Sequence, residues 1–185
     1  MSRTVYYTAS TLDGFLADEH DSLDWLLSQD IDEQGPMNYT DFEARIGALA
    51  MGATTYEWIR DHLAESGEGW SYAMPSWVFT HRDLPAVGER ITFTSAPVAE
   101  VHAEMLAAAE GRDLWVVGGG DLAGQFADAG LLDEVVVSYA PVTLGAGRPL
   151  LPRRLDLRLV EHARNRAFLC GRYEVVGPRD GMMGP

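Results

Sequence analysis

Three consecutive glycines, Gly118, Gly119 and Gly120, follow the apolar run Leu114 to Val117 and lead directly into an amphipathic stretch that starts near Asp121. Glycine lets a backbone take positive φ and approach a ligand with no Cβ in between, and the free N–H groups at a helix start attract anions. Phosphate binding is the chemistry this pattern suits, which makes a nucleotide cofactor the leading expectation. Asp121 is expected to bond backbone N–H groups at the helix start and to leave the glycine amides to the cofactor.

A second turn of the same kind is Met51-Gly52-Ala53-Thr54-Thr55-Tyr56-Glu57, where Thr54 or Thr55 can cap a helix and offer a hydroxyl to phosphate. A third apolar run ends in Thr80, His81 and Arg82, with two side chains able to carry positive charge. Ligands of open α/β sheets lie beyond the carboxyl ends of the strands, so these three ends are expected to converge on one extended dinucleotide. The formal match of Gly118-x-Gly120-x-x-Ala123 to the Rossmann fingerprint fails in context: five strands precede it, and the next strand ends Ser138-Tyr139 with no acid for a ribose. No G-x-x-x-x-G-K-[ST] element is present, which argues against P-loop phosphoryl transfer.

Two carboxylates are candidate proton donors. Asp41 lies near the start of an expected helix, where it also suits the helix dipole, and Asp24 adjoins Trp25, an apolar wall of the kind that raises a carboxyl pKa. Asp13 and Trp25 are candidate substrate contacts. Asp13, in the Asp13-Gly14 loop, suits hydrogen bonds either from a hydroxylated substrate or from the loop's own backbone. Arg148, Arg153 and Arg154 are available for a substrate phosphate, and Trp25, Tyr39, Trp58, Trp70, Tyr72 and Trp77 surround the expected mouth, some to stack on a planar ring. No metal site is read.

These residues need a scaffold, and the apolar periodicity supplies one. Short β-rich runs alternate with helical stretches, the pattern of an α/β domain with a largely parallel sheet. Strands are expected near 4–9, 48–51, 77–80, 91–94, 114–117, 135–139, 157–164 and 168–176, and helices over 39–47, 54–63, 98–110 and 121–129. Gly111 and Gly130 fit as the glycines that end the last two helices. Only Asn165, Arg166 and Ala167 separate the final strands, so these should form an antiparallel hairpin. Residues 1–177 read as one domain and 178–185 as a tail that frays or lies on a partner.

With 185 residues, 46% of them hydrophobic, the chain can bury one sizeable core. A formal charge of −14 argues against nucleic-acid and anionic-membrane surfaces, which need clustered cations. The single cysteine, Cys170, has no internal disulfide partner and reads as a buried small hydrophobe, consistent with a reducing cytoplasm. No signal-peptide pattern and no run of membrane-spanning length is read.

Four segments occur in an order that resembles the dihydrofolate reductase superfamily, in the branch of the riboflavin-biosynthesis reductase domain: Ser10-Thr-Leu-Asp-Gly14-Phe-Leu-Ala17, Met51-Gly-Ala-Thr-Thr-Tyr-Glu57, Val78-Phe-Thr-His-Arg82 and Val116-Val-Gly-Gly-Gly120. The resemblance covers nearly the whole chain. It implies a three-layer α/β/α fold with a mixed, mostly parallel sheet of about eight strands ending in an antiparallel hairpin. It also implies NADPH, reached by Ala9, Leu16, Gly52, Thr54, Thr55, Gly118 to Gly120, Asp121 and Leu122, with Thr80, His81 and Arg82 around the 2′-phosphate.

The chain departs from the pattern in two places. Ala53 stands where family members usually carry arginine, and Pro36 to Asn38 offer no acid where folate reductases place one. The expected function is reduction of a small molecule by hydride transfer. The alternatives are a nucleotide-binding or sensing module without turnover and a flavin-binding relative. A homodimer is expected, with the terminal hairpin, Met182 and Met183 supplying surface.

Overall fold

In the computed structural model, which describes residues 2–179, ten strands and five helices follow one another along the chain. The order is β1 (Thr4–Thr11), β2 (Phe15–Ala17), α1 (Asp24–Leu27), α2 (Tyr39–Glu43), β3 (Ile46–Gly52), α3 (Ala53–Ser66), β4 (Ser76–Phe79) and β5 (Ile91–Thr94). It continues α4 (Val98–Ala108), β6 (Asp113–Gly118), α5 (Gly120–Asp128), β7 (Glu134–Ala140), β8 (Arg148–Pro149), β9 (Leu155–Asn165) and β10 (Phe168–Pro178). Eight strands form one sheet in the order β5-β4-β3-β6-β1-β7-β10-β9, parallel from β5 to β7 and antiparallel across β10 and β9. The expected mixed sheet with its terminal hairpin is therefore the observed one.

Strand alternation sorts the core into two layers, because successive side chains of a strand leave on opposite faces. Ala48, Ala50, Leu114, Val116 and Val135 pack under α4 and α5 against Val101, Met105, Leu122 and Phe126. Val5, Leu49, Met51, Val78, Trp115 and Val136 face the other way, against Phe42 of α2 and Tyr56 of α3. Phe126 and Leu114 are fully buried, and each such side chain contributes on the order of 2 kcal/mol through apolar burial. The buried phenols have partners: Tyr6 donates to the Leu150 carbonyl at 2.9 Å and Tyr56 to the Pro85 carbonyl at 2.7 Å.

The helix expected over 39–47 stops at Glu43, and β3 starts at Ile46. The fully buried run from Ile46 to Met51 is better used as a central strand covered on both faces than as the end of a helix. Three short elements had no periodicity long enough to announce them: α1, β2 and β8. The last two pair as a separate ribbon, Phe15 opposite Pro149 and Ala17 opposite Arg148. Strand β10 continues to Pro178, beyond the expected end of order, while residues 180–185 of the expected tail, Met182 and Met183 included, lie outside the described residues. Among the described residues no helix is long and apolar enough to cross a membrane.

Candidate functional site

Strands β1, β3, β4 and β6 are mutually parallel, so their carboxyl ends share one edge of the sheet. A cavity of about 830 Å³ opens there, at the upper end of the range for small-molecule and cofactor sites. Two helices begin at its wall, α3 directly after β3 and α5 directly after β6. Their N-caps are Gly52 and Gly119, and neither helix has a side chain bonded to its first N–H groups. Helix α2 differs: Asn38 Oδ1 accepts the Asp41 N–H at 2.9 Å. The leading amides of a helix have no intrahelical acceptor, so those of α3 and α5 remain available to an anion.

Gly118, Gly119 and Gly120 do not take the positive φ that three glycines led us to expect; the peptide between the first two is cis. Their function here is space. A Cβ on Gly118 would stand 3.1 Å from Thr55 Oγ1, one on Gly120 would overlap the carbonyl oxygens of Pro149 and Leu150, and one on Gly119 would project into open space. Thr54 and Thr55 are not caps either, since the helix begins one residue before them, at Ala53.

Part of the lining is aromatic. Tyr39 and Trp115 lie with ring centroids 5.6 Å apart, Tyr72 and Trp115 5.7 Å apart, and Tyr7 completes the group at 6.4 Å from Tyr39. Tyr7 donates its hydroxyl to the Met37 carbonyl at 3.0 Å and Tyr39 to Glu43 Oε1 at 2.8 Å. Burial pushes the Tyr7 and Tyr72 hydroxyls up to about 12, and burial together with Glu43 raises Tyr39 further. All three therefore stay protonated at neutral pH.

Of the expected cofactor contacts, Ala9, Leu16, Gly52, Thr54, Thr55, Gly118, Gly119, Gly120, Asp121 and Leu122 line this one cavity. Thr80, His81 and Arg82 do not; they follow Phe79, which does, and Arg82 is bound to Glu57. Asp121 does not cap α5. Its carboxylate accepts from Gln125 Nε2 and Arg153 Nη2, both at 3.0 Å, and these two partners hold it below the usual carboxylate range.

The two expected proton donors lie outside the cavity lining. Asp41 is exposed and accepts from Asn38 Nδ2 at 2.9 Å, a helix-capping arrangement. Asp24 is exposed, whereas Trp25 turns inward, buried against Ala140, Phe168 and Cys170 with its indole N–H donating to the Leu16 carbonyl at 3.2 Å. Adjacent residues on so short a helix point in different directions, so the apolar wall never reaches the acid.

Asp13 also stays outside the lining and serves the loop itself, accepting from Thr11 Oγ1 at 2.6 Å and the Gly145 N–H at 2.7 Å. Of the arginines offered for a substrate phosphate, Arg148 lines the cavity and is bound to Asp21, with Nε 2.6 Å from Oδ1. Tyr39, Trp58 and Tyr72 line it as well, while Trp70 and Trp77 do not. Tyr7 and Trp115 were missed. Both sit on strand positions facing the α3 side, and alternation along β1 and β6 was the signal that pointed to them.

The sequence profile of the RibD C-terminal domain matches residues 4–167. The uncharacterized protein YwjB of Bacillus subtilis is 31% identical over 161 residues, covering 85% of this chain and 88% of its own. Among solved structures, a protein of Shewanella sp. PV-4 provisionally named for riboflavin biosynthesis superposes with a TM-score of 0.77 at 23% identity, covering 94% of this chain and 98% of that one. A diaminohydroxyphosphoribosylaminopyrimidine deaminase/5-amino-6-(5-phosphoribosylamino)uracil reductase of Thermotoga maritima gives 0.62 at 17% identity over 94% of this chain and 56% of that longer one. The resemblance carried by the four ordered segments is thus borne out at the level of family and fold.

Proposed function

The chain belongs to the RibD C-terminal domain family, and on that premise we propose that it is an NADPH-dependent reductase of a small molecule. One observation carries the reading: two helix N-termini with glycine caps and no capping side chain open onto the same cavity. Amides at the starts of α3 and α5 would receive the phosphates, and the glycines would let the backbone come close to them. NADPH, when bound, supplies the hydride.

The chain's own part is then orientation and exclusion of water. Tyr7, Tyr39 and Trp115 form a rigid wall for a planar ring, and Tyr72 keeps its hydroxyl proton and can donate it in a hydrogen bond. Calorimetric titration of the purified protein with NADPH is the test. Saturable binding at one site supports the reading, and the absence of binding removes it.

A second reading has an observation of its own. Both carboxylates of the cavity lining, Asp21 and Asp121, are bound to arginines, so neither is poised as a general acid. That favours a nucleotide-binding module without turnover. Oxidation of NADPH on addition of carbonyl or imine acceptors separates the two, because only the reductase consumes it.

We also propose that two copies pair through the terminal hairpin. Leu157, Leu159 and Leu169 are exposed there, on the last two strands of the sheet, and β9 leaves one backbone edge without a neighbouring strand among the described residues. An edge strand with an unpaired backbone and exposed leucines beside it can take a second strand, and a two-fold axis makes the surface complementary to itself.

A further inference from the structure

The arginines on segments bordering the cavity already hold carboxylates. Arg60 is bound to Asp61, Arg148 to Asp21, and Arg153 to both Asp121 and Asp128. Arg82 is engaged in the bidentate mode: its two terminal nitrogens reach the two oxygens of Glu57, Nη1 to Oε1 at 3.2 Å and Nη2 to Oε2 at 2.6 Å. Its position near the cavity follows from the elements on either side. Glu57 lies one helical turn beyond Ala53 on the same face of α3, and Arg82 lies three residues beyond Phe79; Ala53 and Phe79 both line the cavity. Ala53 adds no charge of its own.

We propose that Glu57 sets the choice between nicotinamide cofactors by occupying Arg82, so that a 2′-phosphate meets a guanidinium whose end-on fork and charge a carboxylate already holds. The inference rests on the nucleotide-site reading above. A guanidinium has an end-on and a side-on fork for oxyanions, and here the Glu57 carboxylate has taken the end-on one and offsets the cation's charge. A 2′-phosphate brings up to about two negative charges to the same place and is repelled by Glu57. NADH brings a 2′-hydroxyl instead, which a carboxylate accepts as a hydrogen bond. The Glu57 and Arg82 pair therefore narrows the advantage that a free Arg82 would give NADPH.

The pair is largely exposed, with 53% of the Arg82 side chain and 29% of the Glu57 side chain accessible, so its removal leaves the fold intact. The test titrates NADPH, NADH and adenosine 2′,5′-bisphosphate by calorimetry into wild type, Glu57→Gln and Arg82→Gln. The expected result is tightening of NADPH and the bisphosphate by about 5- to 20-fold in E57Q, with NADH changed less than about twofold, and a gain that shrinks with added salt. R82Q is expected to abolish the preference for the phosphorylated ligands.

Wild type that binds NADPH, together with an E57Q protein that binds it no more tightly, overturns the proposal and leaves the nucleotide site standing. Failure of every form to bind either dinucleotide overturns both. Thermal melting of E57Q close to wild type confirms a like-for-like comparison. Glu57→Asp, whose carboxylate sits one methylene closer to the backbone and reaches less far toward Arg82, gives an independent reading with an intermediate gain expected.

Discussion

Gly120 is packed directly beneath the carbonyl oxygens of Pro149 and Leu150, with no room for a Cβ. The contact joins the start of α5 to the ribbon strand β8, and Tyr6 holds the same Leu150 carbonyl from below at 2.9 Å. Neither neighbour is a flexible side chain that can step aside. Gly120→Ala should therefore cost about 2–3 kcal/mol through overpacking, measured as a shift of the urea midpoint at unchanged slope.

Gly119 makes the opposite case. A Cβ there meets nothing within 4 Å and the residue lines the cavity, so Gly119→Ala should melt close to wild type. The added methyl occupies space in front of the α5 amides. NADPH binding should weaken by about tenfold or more, a split between stability and affinity that calorimetry and melting together detect.

Glu134 is buried at the amino-terminal end of β7, 2% accessible, with Arg3 Nη1 at 2.9 Å, Arg172 Nη1 at 3.3 Å and Arg45 Nη2 at 3.8 Å. Glu134→Ala removes the anion that these three cations share. A loss of about 2–4 kcal/mol is expected, discounted from a fully buried pair because the arginines remain partly in water. Chemical denaturation measures it, and nucleotide affinity should be unaffected because the cluster sits at the far end of the sheet from the cavity.

Asp13 is held below its usual 3.8 chiefly by the Thr11 hydroxyl, aided by the amides of Gly145 and Leu144. A carboxylate with a lowered folded pKa contributes stability that is complete above its unfolded value and is lost as pH falls through the folded one. The melting temperature should thus fall below about pH 4, and Asp13→Asn should flatten that acid limb. The side chain is fully exposed, so the effect is small, and a melting series from pH 7 to pH 2 resolves it.

Pairing through β9 predicts a particle of twice the 20.3 kDa chain mass in sedimentation at micromolar concentration. Leu159→Asp, which places a charge at a residue 52% accessible in the single chain, should yield monomers of unchanged melting temperature. A wild-type monomer under these conditions removes the proposal.

Local order and periodicity carried most of the architecture. Short apolar, β-rich runs marked all eight strands of the main sheet, the short link before Phe168 announced the final hairpin, whose turn is Arg166 and Ala167, and glycine after a strand marked both anion-receptive turns. These features depend on neighbours within a few residues, which a sequence displays directly. The orientation of side chains does not. Tertiary packing turned Trp25 inward while leaving Asp24 in water, gave Asp121 to Gln125 and Arg153 rather than to its own helix, and closed Arg82 onto Glu57 from 25 residues away. It also brought Tyr7, Tyr39, Tyr72 and Trp115, from four separate segments, to one wall of the cavity. Such pairings follow from where strands lie in the sheet and which charges meet across it, and the chain order alone does not contain those distances.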